Sequence, residues 1–315
     1  MNTEKNPDLV ERIFDELILD RKKERRKTYV KYAIIGALGF SYLAAIIAGM
    51  SGSASNKNTE SYVAFVKVSG EIMPGKEAGA SVLNPLVEKA FEDTAAKGVV
   101  LLVNSPGGTP VQASLVYDQI MRLKAAYPDK KVVAVGEDLM TSGAYMIAAA
   151  ADTIVVNRST ITGSIGVISR GFGFTGLMDK VGVERRVTTA GEAKNLLDPF
   201  GPQSEEDRLK QRELLQQIHG HFKDTVLAGR GDRLNRDTPG LFSGTVWTGE
   251  QAVKMGLADR LGDLQTVMKE DFGVEATREY SPPRSLMDIV VNGVSAKVAS
   301  SLAPAVSTHV LAMPE

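Results

Sequence analysis

Ser142 is the residue whose position most suggests chemistry, because it stands where an apolar strand gives way to an apolar helix. The β-branched run at residues 131–135 precedes it, and an alanine-rich stretch without a charge runs from 142 to 151. A serine at a helix start can cap the helix, or it can act as a nucleophile beside backbone amides that stabilise an oxyanion. Taken by itself, this stretch favours the helix cap.

A nucleophilic serine needs a base, and the sequence offers a lysine more readily than a histidine. The three histidines, His219, His221 and His309, lie outside the predicted β–α core, so a Ser-His-Asp triad has little support. Lys194 lies in the mostly uncharged segment 191–200, which ends in a proline turn. A lysine that is buried away from carboxylates loses its proton and can serve as a general base. Considered alone, Lys194 would be interpreted as a surface residue.

The composition excludes several classes of protein. The chain has 315 residues, of which 43% are hydrophobic and 24% charged, so it can bury a sizeable core. A formal charge of −1 argues against nucleic acid as a partner, since phosphate binding needs a basic face. The absence of cysteine excludes thiolate catalysis and the usual zinc sites, and His219 and His221 diverge on a helix. We therefore expect no metal and no cofactor.

An uncharged run from Tyr32 to Met50 is long enough for one membrane crossing. Lysines and arginines cluster just before it in residues 21–31, which predicts a cytoplasmic N-terminus and a catalytic domain on the outer face of the cytoplasmic membrane. The alternatives are a cleaved signal peptide, with small residues at Gly52 and Ala54, and a buried core helix. The long charged leader and the adjacent cations favour an uncleaved anchor.

After residue 61 the sequence alternates between strand-like and helical runs, which predicts an α/β domain with parallel strands covered by helices. The predicted strands are 62–68, 98–103, 131–135 and 153–157, and the predicted helices are 86–96, 111–126 and 142–151. In such a fold reactive groups gather at the carboxyl ends of strands, where the loops 104–108 and 140–143 both lie. These two loops are expected to face each other.

These patterns divide the chain into five parts. They are a cytoplasmic leader with its basic cluster at 1–31, the transmembrane anchor at 32–50, a small polar linker at 51–60, the catalytic domain at 61–275 and a tail at 276–315. Helices are also predicted at 6–17, at 204–230, after a cap at Thr248, and at 286–302. The last of these is expected to pack on the domain or on a neighbouring subunit.

Four motifs, taken together, carry a resemblance to a known family. They are the segments 104–108, 141–145, 162–167 and 190–200. In this order and spacing they resemble the signal peptide peptidase A family of membrane-anchored Ser-Lys serine peptidases. The resemblance covers residues 62–272 and extends to the N-terminal anchor. Two residues depart from it, since Thr141 and Ala144 stand where that family often has alanine and glycine.

The resemblance implies a role for each candidate residue. Ser142 would be the nucleophile, Lys194 the general base and later acid, and Ser164 a helper that orients the lysine. Gly107 or Gly108 would form the oxyanion hole together with Gly143, and the residues alone do not decide between the first two.

The resemblance also implies a fold, an assembly and a substrate class. The fold would be the ClpP/crotonase-like spiral of β–α units, and short members of the family form ring-shaped homo-oligomers in which neighbouring subunits share the serine and the lysine. The substrates would be peptides, above all the remnants of signal peptides in the membrane.

Two other functions compete with this interpretation. One is an NfeD-type membrane Ser-Lys peptidase that cuts a specific protein partner, although nothing after Met50 has the length and hydrophobicity of the further spans usual there. The other is a catalytically inactive scaffold of the crotonase fold, or a crotonase-type acyl-CoA protein whose glycine loops hold a thioester oxygen. The presence of both Ser142 and Lys194 in matching contexts disfavours the second alternative.

Overall fold

The computed structural model describes residues 25–27, 29–42, 61–191 and 193–282 of the chain. Its contacts divide the chain into two units, Met1–Thr59 and Glu60–Glu315.

In the first unit, residues 29–42 form helix α1, whose side chains are exposed. This helix contains the first part of the predicted anchor, and residues 43–50 lie outside the described residues. Within the described parts of the chain, no helix is both long and apolar enough to cross a membrane. The predicted helices at 6–17 and 286–302 and the linker at 51–60 also lie outside the described residues.

The described residues of the second unit form one eight-stranded sheet. Its strands are β1 (Tyr62–Ser69), β2 (Ala96–Ser105), β3 (Lys131–Thr141), β4 (Thr153–Val156), β5 (Ile161–Gly163), β6 (Val246–Thr248), β7 (Arg260–Leu261) and β8 (Thr277–Tyr280). The strand order is β6-β5-β3-β2-β1-β8, and β4 pairs with β3 and β7. All neighbouring strands are parallel except β5 and β6. The predicted α/β class with parallel strands is therefore confirmed, with one antiparallel pair at an edge.

Strand β3 forks the sheet and carries Ser142 to its position. Its first half pairs with β4 over Val133–Gly136, and its last residues pair with β5 over Leu139–Thr141. The predicted strand ended at residue 135 because Glu137 and Asp138 are polar, and both are exposed at the fork. The extra length of β3 places the turn at Ser142 beside the end of β5.

The helices of the second unit follow local signals in the sequence. They are α2 (Ala80–Glu92), α3 (Pro110–Ala126), α4 (Gly143–Ala148), α5 (Thr175–Val181), α6 (Glu205–Arg230), α7 (Gly249–Met255) and α8 (Leu264–Val267). Proline begins α3, and capping boxes begin α6 at Ser204 and α7 at Thr248. Strand β8 lies within the stretch predicted as the tail, so the sheet extends past residue 275.

The core lies on both faces of the sheet, as expected for parallel strands. Helices α2, α3 and α4 cover one face, while Val100, Val133 and Val155 on the other face belong to a second cluster around Val267. Every residue of α4 is buried, and the Tyr145 hydroxyl donates to the carbonyl of Leu257 at 2.8 Å. Burial raises the pKa of this hydroxyl above its ordinary value. The helix that follows Ser142 is therefore fixed in the interior.

Candidate active site

Ser142 occupies the N-cap position of α4 but does not cap the helix with its side chain. Its backbone has φ 54° and ψ −126°, a conformation that costs about 1–3 kcal/mol in a residue other than glycine. The Ser142 amide donates to the Gly163 carbonyl at 2.9 Å, which ties the turn to β5. Among the described residues its hydroxyl has no hydrogen-bond partner. A strained turn from strand to helix that leaves a serine hydroxyl free is the arrangement of a nucleophile elbow.

The loop after β2 packs directly on this turn. Gly107 has φ +93°, and a Cβ on it would lie 2.7 Å from both the Ser142 Cβ and the Gly143 amide nitrogen. Only glycine therefore fits this position without moving the turn. The loop is fixed by Ser105, whose hydroxyl donates to the Gly70 carbonyl at 2.6 Å and accepts from the Gly107 amide at 3.1 Å.

These hydrogen bonds distinguish the two candidate oxyanion donors of the loop. The Gly107 amide donates to the Ser105 hydroxyl and is therefore occupied. The β-bridge to Ile72 uses the Gly107 carbonyl and the Thr109 amide. The Gly108 amide takes no part in that bridge. Gly143 is the first residue of α4, so its amide has no acceptor within the helix. A Cβ on Gly143 would lie 3.4 Å from the Gly108 nitrogen. The geometry thus favours Gly108 with Gly143 as a pair of adjacent donors.

A cavity of about 560 Å³ is lined by Ser142, Ser164, Gly108 and Gly143. With Gly107, which packs on the Ser142 turn, the structure therefore brings together five of the six residues predicted for the site. Apolar side chains also line this cavity, namely those of Met146, Val167, Ile168, Ile218 and Phe222. The cavity can accept an apolar peptide side chain next to a free hydroxyl and two amide donors.

Ser164 has the second positive φ among the described non-glycine residues, at 51°. Its amide donates to the Thr245 carbonyl at 2.8 Å, and the next carbonyl, of Ile165, accepts from the Gly244 amide at 3.1 Å. His219 Nε2 also lies 3.2 Å from the Ile165 carbonyl oxygen, which requires a proton on Nε2. This histidine contact has no signal in the sequence, because α6 is distant from Ser164 along the chain.

Lys194 does not line this cavity, and its side chain is exposed. It belongs to residues 166–201, which we call the lysine arm, and none of the arm's described residues is buried. Within the arm the Phe174 amide donates to the Pro199 carbonyl at 2.7 Å, and the rings of Phe174 and Phe200 stack at 5.2 Å. The arm exposes many apolar side chains, including Ile168, Phe172, Leu177, Val181 and Leu197.

A larger cavity, of about 730 Å³, lies near the fork of β3 and is lined by Glu137, Asp138, Thr160 and Asp263. The Thr160 hydroxyl donates to the Glu137 carbonyl at 2.6 Å, and Asp263 accepts from the Thr266 amide at 2.8 Å. These polar groups serve the local fold. The cavity at Ser142 is therefore the candidate active site.

Comparison with known sequences supports a hydrolytic role for this region. Residues 124–272 match the profile of peptidase family S49. This range includes Ser142, Ser164 and Lys194, while the Gly107 loop precedes it.

Three relatives illustrate the similarity. The chain is 42% identical over 241 residues to the Na(+)/H(+) antiporter NhaA of Brucella melitensis, a match that covers 75% of this chain and 32% of that protein. It is 33% identical over 198 residues to a putative signal peptide peptidase SppA of Enterococcus faecium, covering 61% of this chain and 56% of that protein. It is 34% identical over 206 residues to a putative protease of Synechocystis, covering 65% of this chain and 71% of that protein. The chain thus spans only about a third of the first relative and about half of the second.

Proposed function

Because the chain belongs to peptidase family S49, we propose that it is a serine endopeptidase in which Ser142 is the nucleophile and Lys194 the general base. The observation that carries this proposal is the geometry of Ser142, with its positive φ and its free hydroxyl beside the amides of Gly108 and Gly143. Backbone donors aimed at one point are what acyl transfer requires.

The proposed reaction is acyl transfer from a peptide bond. Neutral Lys194 accepts the proton of the Ser142 hydroxyl while the serine oxygen attacks the carbonyl carbon, and the amides of Gly108 and Gly143 stabilise the negative oxygen. The lysine then gives its proton to the leaving amine. Water, deprotonated by the same lysine, hydrolyses the ester and restores the serine. Ser164 is proposed to orient the amine of the lysine.

We propose that the lysine is supplied by a neighbouring copy of the chain. A lysine acts as a base only where it is removed from water, and Lys194 is exposed in the single chain and does not line the cavity. The exposed apolar side chains of the lysine arm supply a surface that a second copy can cover. A head-to-tail contact of this kind generates a ring when its rotation closes.

The proposed substrates are remnant signal peptides and other membrane-associated peptides. The apolar cavity suits the apolar core of a signal peptide, and the Enterococcus relative bears the name of a signal peptide peptidase. The uncharged run after the basic cluster supports a single-pass anchor in the cytoplasmic membrane with the catalytic domain outside. The forked, largely parallel sheet supports a ClpP/crotonase-like spiral.

Complementation between two inactive variants tests the shared site. Full-length Ser142→Ala and Lys194→Ala chains are co-expressed, purified in detergent and assayed on a synthetic signal peptide. Each variant alone is expected to be inactive, because each lacks one member of the dyad. Random mixing in a head-to-tail ring joins an intact serine to an intact lysine at about a quarter of the sites, so roughly a quarter of the wild-type activity should return.

The control co-expresses Ser142→Ala with the Ser142→Ala/Lys194→Ala double variant, which offers no intact serine and should stay inactive. An active wild type with an inactive mixture would overturn the shared site while leaving the peptidase intact. A serine-directed phosphonate that leaves Ser142 of the wild-type assembly unmodified would overturn the peptidase itself.

A further inference from the structure

We propose that Arg170 is a specificity-determining residue that binds a carboxylate of the peptide substrate, an inference that rests on the proposed function of the Ser142 cavity. Arg170 follows β5 by a short loop and lines the same cavity as Ser142 and Ser164. The other residues that line this cavity in the described part of the chain are uncharged. The candidate active site therefore carries a single positive charge at its wall.

This charge is not neutralised within the described part of the chain. No carboxylate of the described residues forms an ion pair with Arg170, whereas the arginines further along the lysine arm are paired, Arg185 with Asp198 at 2.7 Å and Arg186 with Glu184 at 2.8 Å. The amides of Gly108 and Gly143 add the positive ends of their dipoles to the same cavity. The electrostatic potential in the cavity thus favours an anion.

The chemistry of the guanidinium identifies the ligand as a carboxylate. Arginine presents a planar fork of donors that matches the two oxygens of a carboxylate, and it holds its charge at every relevant pH. In a peptide, that carboxylate is either an acidic side chain or the free C-terminus. The apolar side chains of the lining, among them Met146, Val167 and Phe222, accept the apolar part of the substrate peptide. The preferred substrate is therefore an apolar peptide with a carboxylate near the scissile bond.

Four matched peptides separate the two sources of the carboxylate. They share one apolar quenched-fluorescence core, carry Glu or Gln at one and the same position, and end in a free carboxylate or an amide. For the wild-type assembly we expect kcat/KM to be about tenfold higher when the recognised carboxylate is present, the size of one charge-assisted hydrogen-bonded contact. A gain that follows Glu identifies a side-chain carboxylate, and a gain that follows the free end identifies the C-terminus.

The Arg170→Gln variant should lose this tenfold preference, so that its kcat/KM on a carboxylate peptide equals the kcat/KM of the same variant on the neutral amide peptide. Arg170→Lys keeps the charge without the fork and should retain part of the preference. Arg122→Gln, an exposed arginine on α3 outside the cavity lining, is the matched control and should leave the preference unchanged. Equal rates of the wild type on all four peptides, or a preference that survives in Arg170→Gln, would overturn the proposal.

A binding measurement keeps this inference separate from the proposed catalysis. The anisotropy of labelled peptides on the Ser142→Ala protein reports affinity without turnover, and the same tenfold difference is expected there. Loss of the difference in Ser142→Ala/Arg170→Gln supports the role of Arg170 even if the wild type cleaves nothing. If the wild type cleaves the peptides but shows no preference for a carboxylate in binding or in rate, the proposed role of Arg170 is wrong and the proposed peptidase activity is unaffected.

Discussion

Backbone strain in the described residues is concentrated at the two serines of the cavity. Ser142 and Ser164 are the two non-glycine residues there with positive φ. Gly163, with φ +85°, links them, because it precedes Ser164 in the chain and its carbonyl accepts from the Ser142 amide. Such conformations persist only where the surrounding structure fixes them. The strain is thus held by β5, by the Thr245 loop and by the buried α4.

The Gly107→Ala substitution should abolish most of the activity, because its methyl group would displace Ser142 and the Gly143 amide. The added Cβ would meet both at 2.7 Å, and the loss of one oxyanion donor alone lowers kcat by roughly 100-fold or more. We expect a fall in kcat of at least that size, measured on a peptide substrate. The positive φ should also lower the free energy of unfolding by about 1–2 kcal/mol.

The matched control is Gly75→Ala. Gly75 has φ +76°, and a Cβ there meets nothing within 4 Å, so this variant carries the backbone cost alone. It should lose about 1–2 kcal/mol of stability through the backbone alone, less than Gly107→Ala, and keep its activity. If Gly75→Ala lost as much activity as Gly107→Ala, general destabilisation would explain both variants and the steric argument would fail.

At the scale of elements, strand β8 is held to the sheet edge by a polar cluster. Asp93, at the end of α2, accepts hydrogen bonds from the hydroxyls of Tyr62 in β1 and Tyr280 in β8, and Arg278 Nη1 lies 3.3 Å from the same carboxylate. Burial opposes ionisation of Asp93, but the hydrogen bonds from Tyr280, Tyr62 and the Ala95 amide and the charge of Arg278 together outweigh it and lower its pKa to about 2. The ionised carboxylate therefore links β1, the first strand of the domain, to β8, its last strand.

The cluster predicts a loss of stability in acid. A carboxyl group whose pKa is lowered on folding contributes stability that is complete above its unfolded value, here 3.8, and is lost as the pH falls through the folded value of about 2. Asp93→Asn should therefore be less stable than the wild type by about 1–2 kcal/mol at neutral pH, and the two should converge near pH 2. Urea unfolding across this range measures the difference. Asp129→Asn, at an exposed position, is the control, and a gap between Asp93→Asn and wild type that stays constant with pH would contradict the assignment.

The elements themselves could largely be predicted from the sequence, and the exceptions have physical reasons. Nearly uninterrupted apolar runs predicted β1, β2 and β4, because parallel strands are apolar on both faces. Strand β8 was not predicted, since Thr277–Tyr280 is polar and is fixed by distant partners such as Asp93. The second half of β3 was not predicted either, because it contains the polar residues Glu137 and Asp138.

At the scale of the whole molecule, the sequence predicted a set of site residues but not how they meet. Ser142 and the Gly107 loop could be predicted together because each lies at the end of a parallel strand. That Lys194 lies outside the cavity lining could not be predicted, although its exposure in the single chain agrees with its interpretation as a surface residue when it is considered alone. The place of Arg170 in the cavity wall could not be predicted either. From sequence alone, an arginine after a glycine-rich turn is interpreted as a solvated surface residue.

A buried ion pair links the long helix α6 to the rest of the domain. The side chain of Arg230 is fully buried, and it donates to both oxygens of Asp259 at 2.9 and 2.8 Å and to the Gly256 carbonyl at 2.9 Å. Asp259 also accepts from the Ile154 amide of β4 at 2.7 Å. Burial opposes the charge of Asp259, but the hydrogen bonds from Arg230 and Ile154 hold its pKa below the ordinary value. Helix α6, which supplies Ile218 and Phe222 to the cavity, is thereby fixed to the sheet.

The Arg230→Met substitution should therefore destabilise the whole domain, because it leaves the Asp259 carboxylate partly buried without its main partner. Removing one member of a buried pair costs about 3–5 kcal/mol of stability. Because Asp259 keeps its contacts with Arg233 and Ile154, we expect a loss of about 3 kcal/mol, at the lower end of this range. Arg208→Met, on the same helix, breaks an exposed pair with Glu205 at 3.3 Å and should cost less than about 1 kcal/mol. The free energy of unfolding in urea compares the two variants. Equal losses would show that α6 is held by its apolar contacts rather than by Arg230.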